Sequence, residues 1–70
     1  MAQNLLIMVF KTTNNQSIHI SEQATYSSYF TFFIKVISNC GLMTESRRES
    51  FTYGEYDNVE DYLNCNYRLK

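Results

Sequence analysis

The alternation of apolar and polar positions divides the chain into five stretches. Leu5-Leu6-Ile7-Met8-Val9-Phe10 is apolar throughout, which suits a short strand covered on both faces. Thr12-Thr13-Asn14-Asn15 follows as a turn signal, since Asn tolerates positive φ. Ser17-Ile18-His19-Ile20 then alternates polar and apolar. Residues 4–20 are therefore predicted to form a β-hairpin.

Residues 21–39 carry conflicting signals. The β-branched and aromatic residues crowded into Tyr29–Ile37 favour a strand. Their arrangement favours a helix. At about 100° per residue, Ser28, Thr31, Lys35 and Ser38 form one stripe, and Tyr26, Tyr29, Phe30, Phe33, Val36 and Ile37 form the opposite face. Phe32 is the misfit. A strand would instead place Lys35 and Thr31 on the same face as Phe33 and Ile37. Ser21 can act as an N-cap, Glu22 lies in the first turn, and Asn39-Cys40-Gly41 offers a glycine C-cap. The periodicity and the caps together predict a helix over 21–39.

Leu42–Tyr53 is polar. Met43, Phe51 and Tyr53 keep step with Glu45, Arg47 and Glu49, as in an exposed edge strand whose charges discourage edge pairing. Gly54 ends it. Asp57 or Asn58 caps a last helix, 58–68, with Tyr56, Val59, Tyr62, Leu63 and Leu69 on one side and Glu60, Asp61, Asn64 and Arg68 on the other. The expected fold is α+β, a small antiparallel sheet packed by two helices in the order β-β-α-β-α. The alternative is four strands and one C-terminal helix. No repeat, linker or low-complexity segment divides residues 1–70, which are expected to form one domain.

Length makes the core thin. A chain of 70 residues buries only about 60% of its unfolded surface, and such a core supplies about 3–5 kcal/mol of stability. Cys40 and Cys65 are the only cysteines, too few for the disulfide framework of a secreted mini-protein. Met1–Asn4 has no basic character, and the six apolar residues after it fall short of the ~20 that cross a bilayer. A cytoplasmic location with reduced thiols is expected, and the triplet Asn15-Gln16-Ser17 then has no role as a glycosylation acceptor. His19 is the only histidine, and the paired ligand spacings of structural zinc sites are missing. No metal and no other cofactor is expected. A partner chain is the remaining source of extra stability. The sequence lacks Pro and Trp and has six Tyr. With its many Asn, Ser and Thr, it has the bias of AT-rich genes common in phages and mobile elements.

The net charge is −1, which excludes a strongly basic nucleic-acid footprint. Charge is also uneven. Residues 1–41 carry Lys11, Lys35 and Glu22, and the remainder carries almost everything else.

Catalytic constellations are lacking. His19, the natural base near neutral pH, sits between Ile18 and Ile20 with its side chain directed away from the core. No nucleophile motif accompanies it. Glu55, Asp57, Glu60 and Asp61 could form paired carboxylates, but acidic residues at a helix N-terminus simply complement the dipole. With two glycines there is no phosphate cradle. The chain is expected not to be an enzyme.

Tyr53–Tyr62 interleaves tyrosines with carboxylates. Tyrosine brings rigid contact area with a polar tip, and carboxylates steer toward basic surfaces. Tyr53, Glu55, Tyr56, Asp57, Glu60 and Asp61 are the candidate contact residues for a protein partner. The competing explanation is an ordinary capped helix with Tyr56 and Tyr62 in the core. Arg47, Arg48 and Lys35, with exposed tyrosines, are the candidate residues for direct nucleic-acid contact, although Glu45 and Glu49 flank the arginine pair and favour ion pairing. A helix-turn-helix over 32–53 fails because its second helix has no packing face. The expected function is a small binder, encoded by a phage or mobile element, that inhibits or modulates a host protein complex. An anti-CRISPR-type inhibitor of a nucleic-acid-processing complex is one instance. A nucleic-acid-binding regulator and a homodimeric accessory protein are the alternatives.

Overall fold

Phe32 decides the architecture. In the computed structural model, which describes residues 3–4 and 7–70, its side chain is fully buried on a strand. The two-residue strand Gln3–Asn4 (β1) and the strand Met8–Lys11 (β2) both pair antiparallel with Ser17–Thr25 (β3). β3 pairs with Tyr29–Ile37 (β4), and β4 with Met43–Thr52 (β5), which forms an edge. One helix, Val59–Asn66 (α1), follows. The order is four main strands and a C-terminal helix, and the two-helix order β-β-α-β-α is corrected.

The segment 21–39 is thus not a helix. Ser21 lies within β3, and Gly41, with φ +91°, sits in the β4–β5 turn rather than at a helix C-cap. The β-branched and aromatic content of β4 prevails because strand pairing on both sides gives each face of β4 a different environment. Ile18 and Ile20 of β3, Phe32, Ile34 and Val36 of β4 and Phe51 of β5 share one face and are buried. Val59, Tyr62 and Leu63 of α1 complete the core. The Phe32 ring meets Tyr62 edge-on at 5.4 Å between centroids, and Phe51 stacks on Tyr62 at 5.9 Å. Fully burying an aliphatic or aromatic side chain of this kind is worth roughly 1.5–3 kcal/mol relative to exposure.

The 4–20 hairpin forms in its described part. Its turn places Asn15 at φ 65°, and Thr12 accepts the Gln16 N–H through its hydroxyl oxygen. Coverage on both faces of Leu5–Phe10 is corrected where it is described: Ile7, Met8 and Val9 are all exposed and only Phe10 packs against the core, because β2 is, among the described strands, paired on one side alone, with β3. Leu5 and Leu6 lie outside the described residues.

Two register shifts shape the sheet. Opposite Phe32, β3 carries both Glu22 and Gln23, with Glu22 at φ 50°. This bulge turns the Glu22 side chain onto the face away from α1. A second shift lies between Val36 and Ile37, where the Thr44 hydroxyl donates to the Val36 carbonyl at 3.2 Å.

Asn58 is the N-cap, its side-chain oxygen accepting the Asp61 N–H at 2.9 Å. The helix ends before the predicted 68. Tyr67 is extended, and Leu69 reaches the core from an extended tail that bridges Thr12. Among the described residues no helix is long and apolar enough to cross a membrane. Cys40 and Cys65 are free thiols on the surface.

Candidate functional site

The turn between β5 and α1 positions the acidic and aromatic segment. The Glu55 carboxylate accepts from both the backbone N–H and the hydroxyl of Thr52, at 3.1 and 3.2 Å, so this carboxylate is engaged in holding the turn. Tyr56 is half-buried, its ring meeting Phe51 at 5.6 Å and Tyr62 at 5.4 Å. It belongs to the core edge. Tyr53 meets Phe51 edge-on at 6.4 Å and stays 37% exposed.

Tyr53, Asp57 and Glu60 converge. With Met8, Phe30, Phe51 and Val59 they line an open groove of about 370 Å³, completed by Gln23, Thr25 and Asn58. Its floor is apolar and its helix-side rim carries two carboxylates. No family model, curated protein or solved structure matches the chain. A second hollow on the other flank of the same turn is lined by Glu55, Tyr56 and Asp61, beside Asn64 and Cys65, and shares Tyr53 and Asp57 with the groove. Of the six sequence-nominated residues, Tyr53 and Asp57 border both hollows, Glu60 only the groove, and Glu55, Tyr56 and Asp61 only the second. The groove's apolar members Met8, Phe30 and Val59 were not nominated. Their signal is the hydrophobic pattern itself, which assigned them to the interior.

Arg47 and Arg48 are separated by the strand's alternation. Arg47 pairs with Ile34 across the sheet and lies on the face toward α1. There it bonds to Glu45, contacts Glu49 at 3.5 Å and donates to the Tyr67 hydroxyl at 3.4 Å. Tyr62 and Tyr67 donate in turn to Glu49 and Glu45, both at 2.8 Å. The cluster joins the edge strand to the helix and the tail. The Arg47 guanidinium beside it holds the Glu45 carboxyl below the usual range, against the opposing effect of burial. Burial, aided by the Glu49 carboxylate, pushes the Tyr62 phenol up to about 12, and burial also raises Tyr67. Arg47 is therefore engaged by Glu45, Glu49 and Tyr67 on the face toward α1.

Arg48 and Lys35 lie on the opposite face. α1 packs on one side of the sheet only, and among the described elements none covers the other. Here Phe33 lies between two cations, the Lys35 Nζ and the Arg48 guanidinium carbon each 5.9 Å from its ring centroid. Arg48 also pairs with Glu22 at 2.7 Å. His19 shares this face, aligned across the sheet with Val9 and Lys35, which agrees with a side chain directed away from the core. Neither neighbour is a carboxylate that could orient the imidazole as a base. Among the described residues, no group of three or more His, Cys, Asp or Glu side chains could hold a metal ion.

Proposed function

We propose that this protein is a non-catalytic binding module that inhibits or modulates a host protein complex. It does so by docking an apolar side chain of the partner, flanked by lysine or arginine, into the acid-rimmed groove. The observation that carries this reading is the convergence of Tyr53, Asp57 and Glu60 on one apolar groove. An apolar floor contributes affinity through burial, and carboxylates at the rim set orientation and attract basic surfaces. Tyr53 has the rigid, half-exposed ring of an interface anchor. Asp57 and Glu60 are exposed and within reach of a partner, whereas Glu55 is engaged locally.

Nucleic-acid-processing complexes present basic, functional surfaces, so a phage- or mobile-element-encoded inhibitor of host defence is one instance of this reading. The composition bias toward Asn, Ser, Thr and Tyr supports it, and the exposure of the groove supports binding over turnover.

The test is quantitative capture from host lysate by the tagged protein and by an Asp57→Asn/Glu60→Gln variant, with mass spectrometry of the bound fraction. The expected result is one dominant protein whose capture falls about tenfold or more in the variant, as loss of about 1.4 kcal/mol would give. Equal capture by both forms contradicts the groove as the contact.

A further inference from the structure

The folding of the chain sorts its charges by face. Glu22 is the one carboxylate that the described strands place on the uncovered face, while Glu45 and Glu49 lie on the face toward α1. Lys11, Lys35 and Arg48 share the uncovered face with His19. Lys11 lies beside Ser17, to which its ammonium donates at 2.7 Å. A chain of net charge −1 therefore presents one locally cationic surface.

Aromatic rings share that surface. Tyr29 pairs with Thr52 across the sheet, in the same phase of β4 as Phe33 and Lys35. Tyr26 stacks on Tyr29 at 4.6 Å between centroids with only 12° between the rings, and both remain more than a third exposed. Tyr29 and Phe33 are four residues apart on one strand, about 13 Å at the usual rise. That is several times the ~3.4 Å rise of a stacked strand, so the two rings offer separate platforms for separate bases.

We propose that the uncovered face of the sheet binds single-stranded nucleic acid, with bases stacking on Phe33 and on Tyr29, and with Lys35 and Arg48 contacting phosphate. Tyr29 is exposed and Phe33 is half-buried beside its two cations, and rings beside cations on a sheet suit single strands over duplexes, because only unpaired bases present a π-face. It is sequence-tolerant for the same reason. Glu22 acts as an intramolecular competitor: by holding Arg48 it occupies a guanidinium that would otherwise meet phosphate. The inference is independent of the acid-rimmed groove, which lies on the other side of the sheet.

The test is fluorescence anisotropy of the full chain with a labelled oligothymidylate, its duplex with oligoadenylate, and polyglutamate. The single strand is expected to bind more tightly than either competitor. The slope of log affinity against log salt is expected at about −1.4 to about −2, the value for two or three neutralised phosphates on a single strand. Phe33→Ala weakens binding about tenfold. Glu22→Gln tightens it about threefold by releasing Arg48 from a solvent-screened pair, a gain that a damaged fold cannot imitate. Circular dichroism checks each variant, and where Phe33→Ala loses the fold the Glu22→Gln result decides. Absence of binding, equal binding of duplex or polyglutamate, unchanged affinity in a folded Phe33→Ala, or no gain in Glu22→Gln overturns the proposal.

Discussion

Tyr62 donates its phenolic hydrogen to Glu49 at 2.8 Å, joining the helix to the edge strand of the sheet. The same ring packs against Phe32, Phe51 and Tyr56, so one residue closes the core and anchors the polar seam beside it. Its phenol is raised from the ordinary value near 10 to about 12. A proton held more tightly in the folded state gives stability that is present in full below pH ~10 and is lost as pH rises through the folded value. Tyr62→Phe is expected to lower stability by about 1 kcal/mol at neutral pH. That difference should shrink as the titration proceeds toward about 12. Chemical denaturation of both forms across alkaline pH measures it.

Glu45 titrates at the other extreme. Its folded pKa is lowered, first by the hydrogen bond from Arg47. Its contribution is therefore present above the unfolded carboxylate value near 4.3 and is lost as pH falls through the lowered folded value. Both side chains are more than a third exposed, so solvent screens the pair. Glu45→Gln is expected to cost no more than about 1 kcal/mol at pH 7. Urea unfolding at neutral and acid pH should show that cost disappearing in acid.

Phe32→Ala removes the largest fully buried side chain. Truncations of buried Phe cost about 3–5 kcal/mol, comparable to the whole stability of a core this small. The variant is expected to be largely unfolded at 25 °C by near-ultraviolet circular dichroism, whereas truncation of Phe33 on the uncovered face leaves the fold intact.

Asn58→Ala deletes the side-chain cap of the helix N-terminus, the bond that accepts the Asp61 N–H. A loss of about 1 kcal/mol is expected, read as a lower thermal midpoint. Because Tyr53 and Asp57 lie in the adjoining turn and Glu60 in the first turn of α1, partner capture should fall with it when measured near the midpoint and recover on cooling.

The features legible in sequence were those governed by one strong local rule. The polar alternation of Met43–Thr52 and the Val59, Tyr62 and Leu63 stripe formed as the pattern predicts, and of the two cap candidates, Asp57 and Asn58, the helix uses Asn58. The segment 21–39 went the other way for a reason visible in two residues. Lys35 and Phe33 on one face counted against a strand, on the assumption that a sheet face bearing Phe must be buried. Among the described elements none covers this face, and Lys35 lies over the Phe33 ring. Phe32, unplaceable on the helix, is instead the centre of the core. The candidate site was half legible. Composition marked Tyr53, Asp57 and Glu60, but only the fold showed that Glu55 is tied to Thr52 and that Tyr56 packs inward. Arg47 and Arg48 are adjacent in sequence, and alternation sends them to opposite faces, a separation that residue spacing alone could not reveal until the strand was established.

Amide hydrogen exchange of the protein, alone and in complex with its captured partner, tests the central claim most directly. The groove reading predicts slowed exchange across Phe51–Glu60, with the strongest protection around Tyr53 and Asp57. Unchanged exchange through that segment in a complex that is demonstrably formed would contradict it.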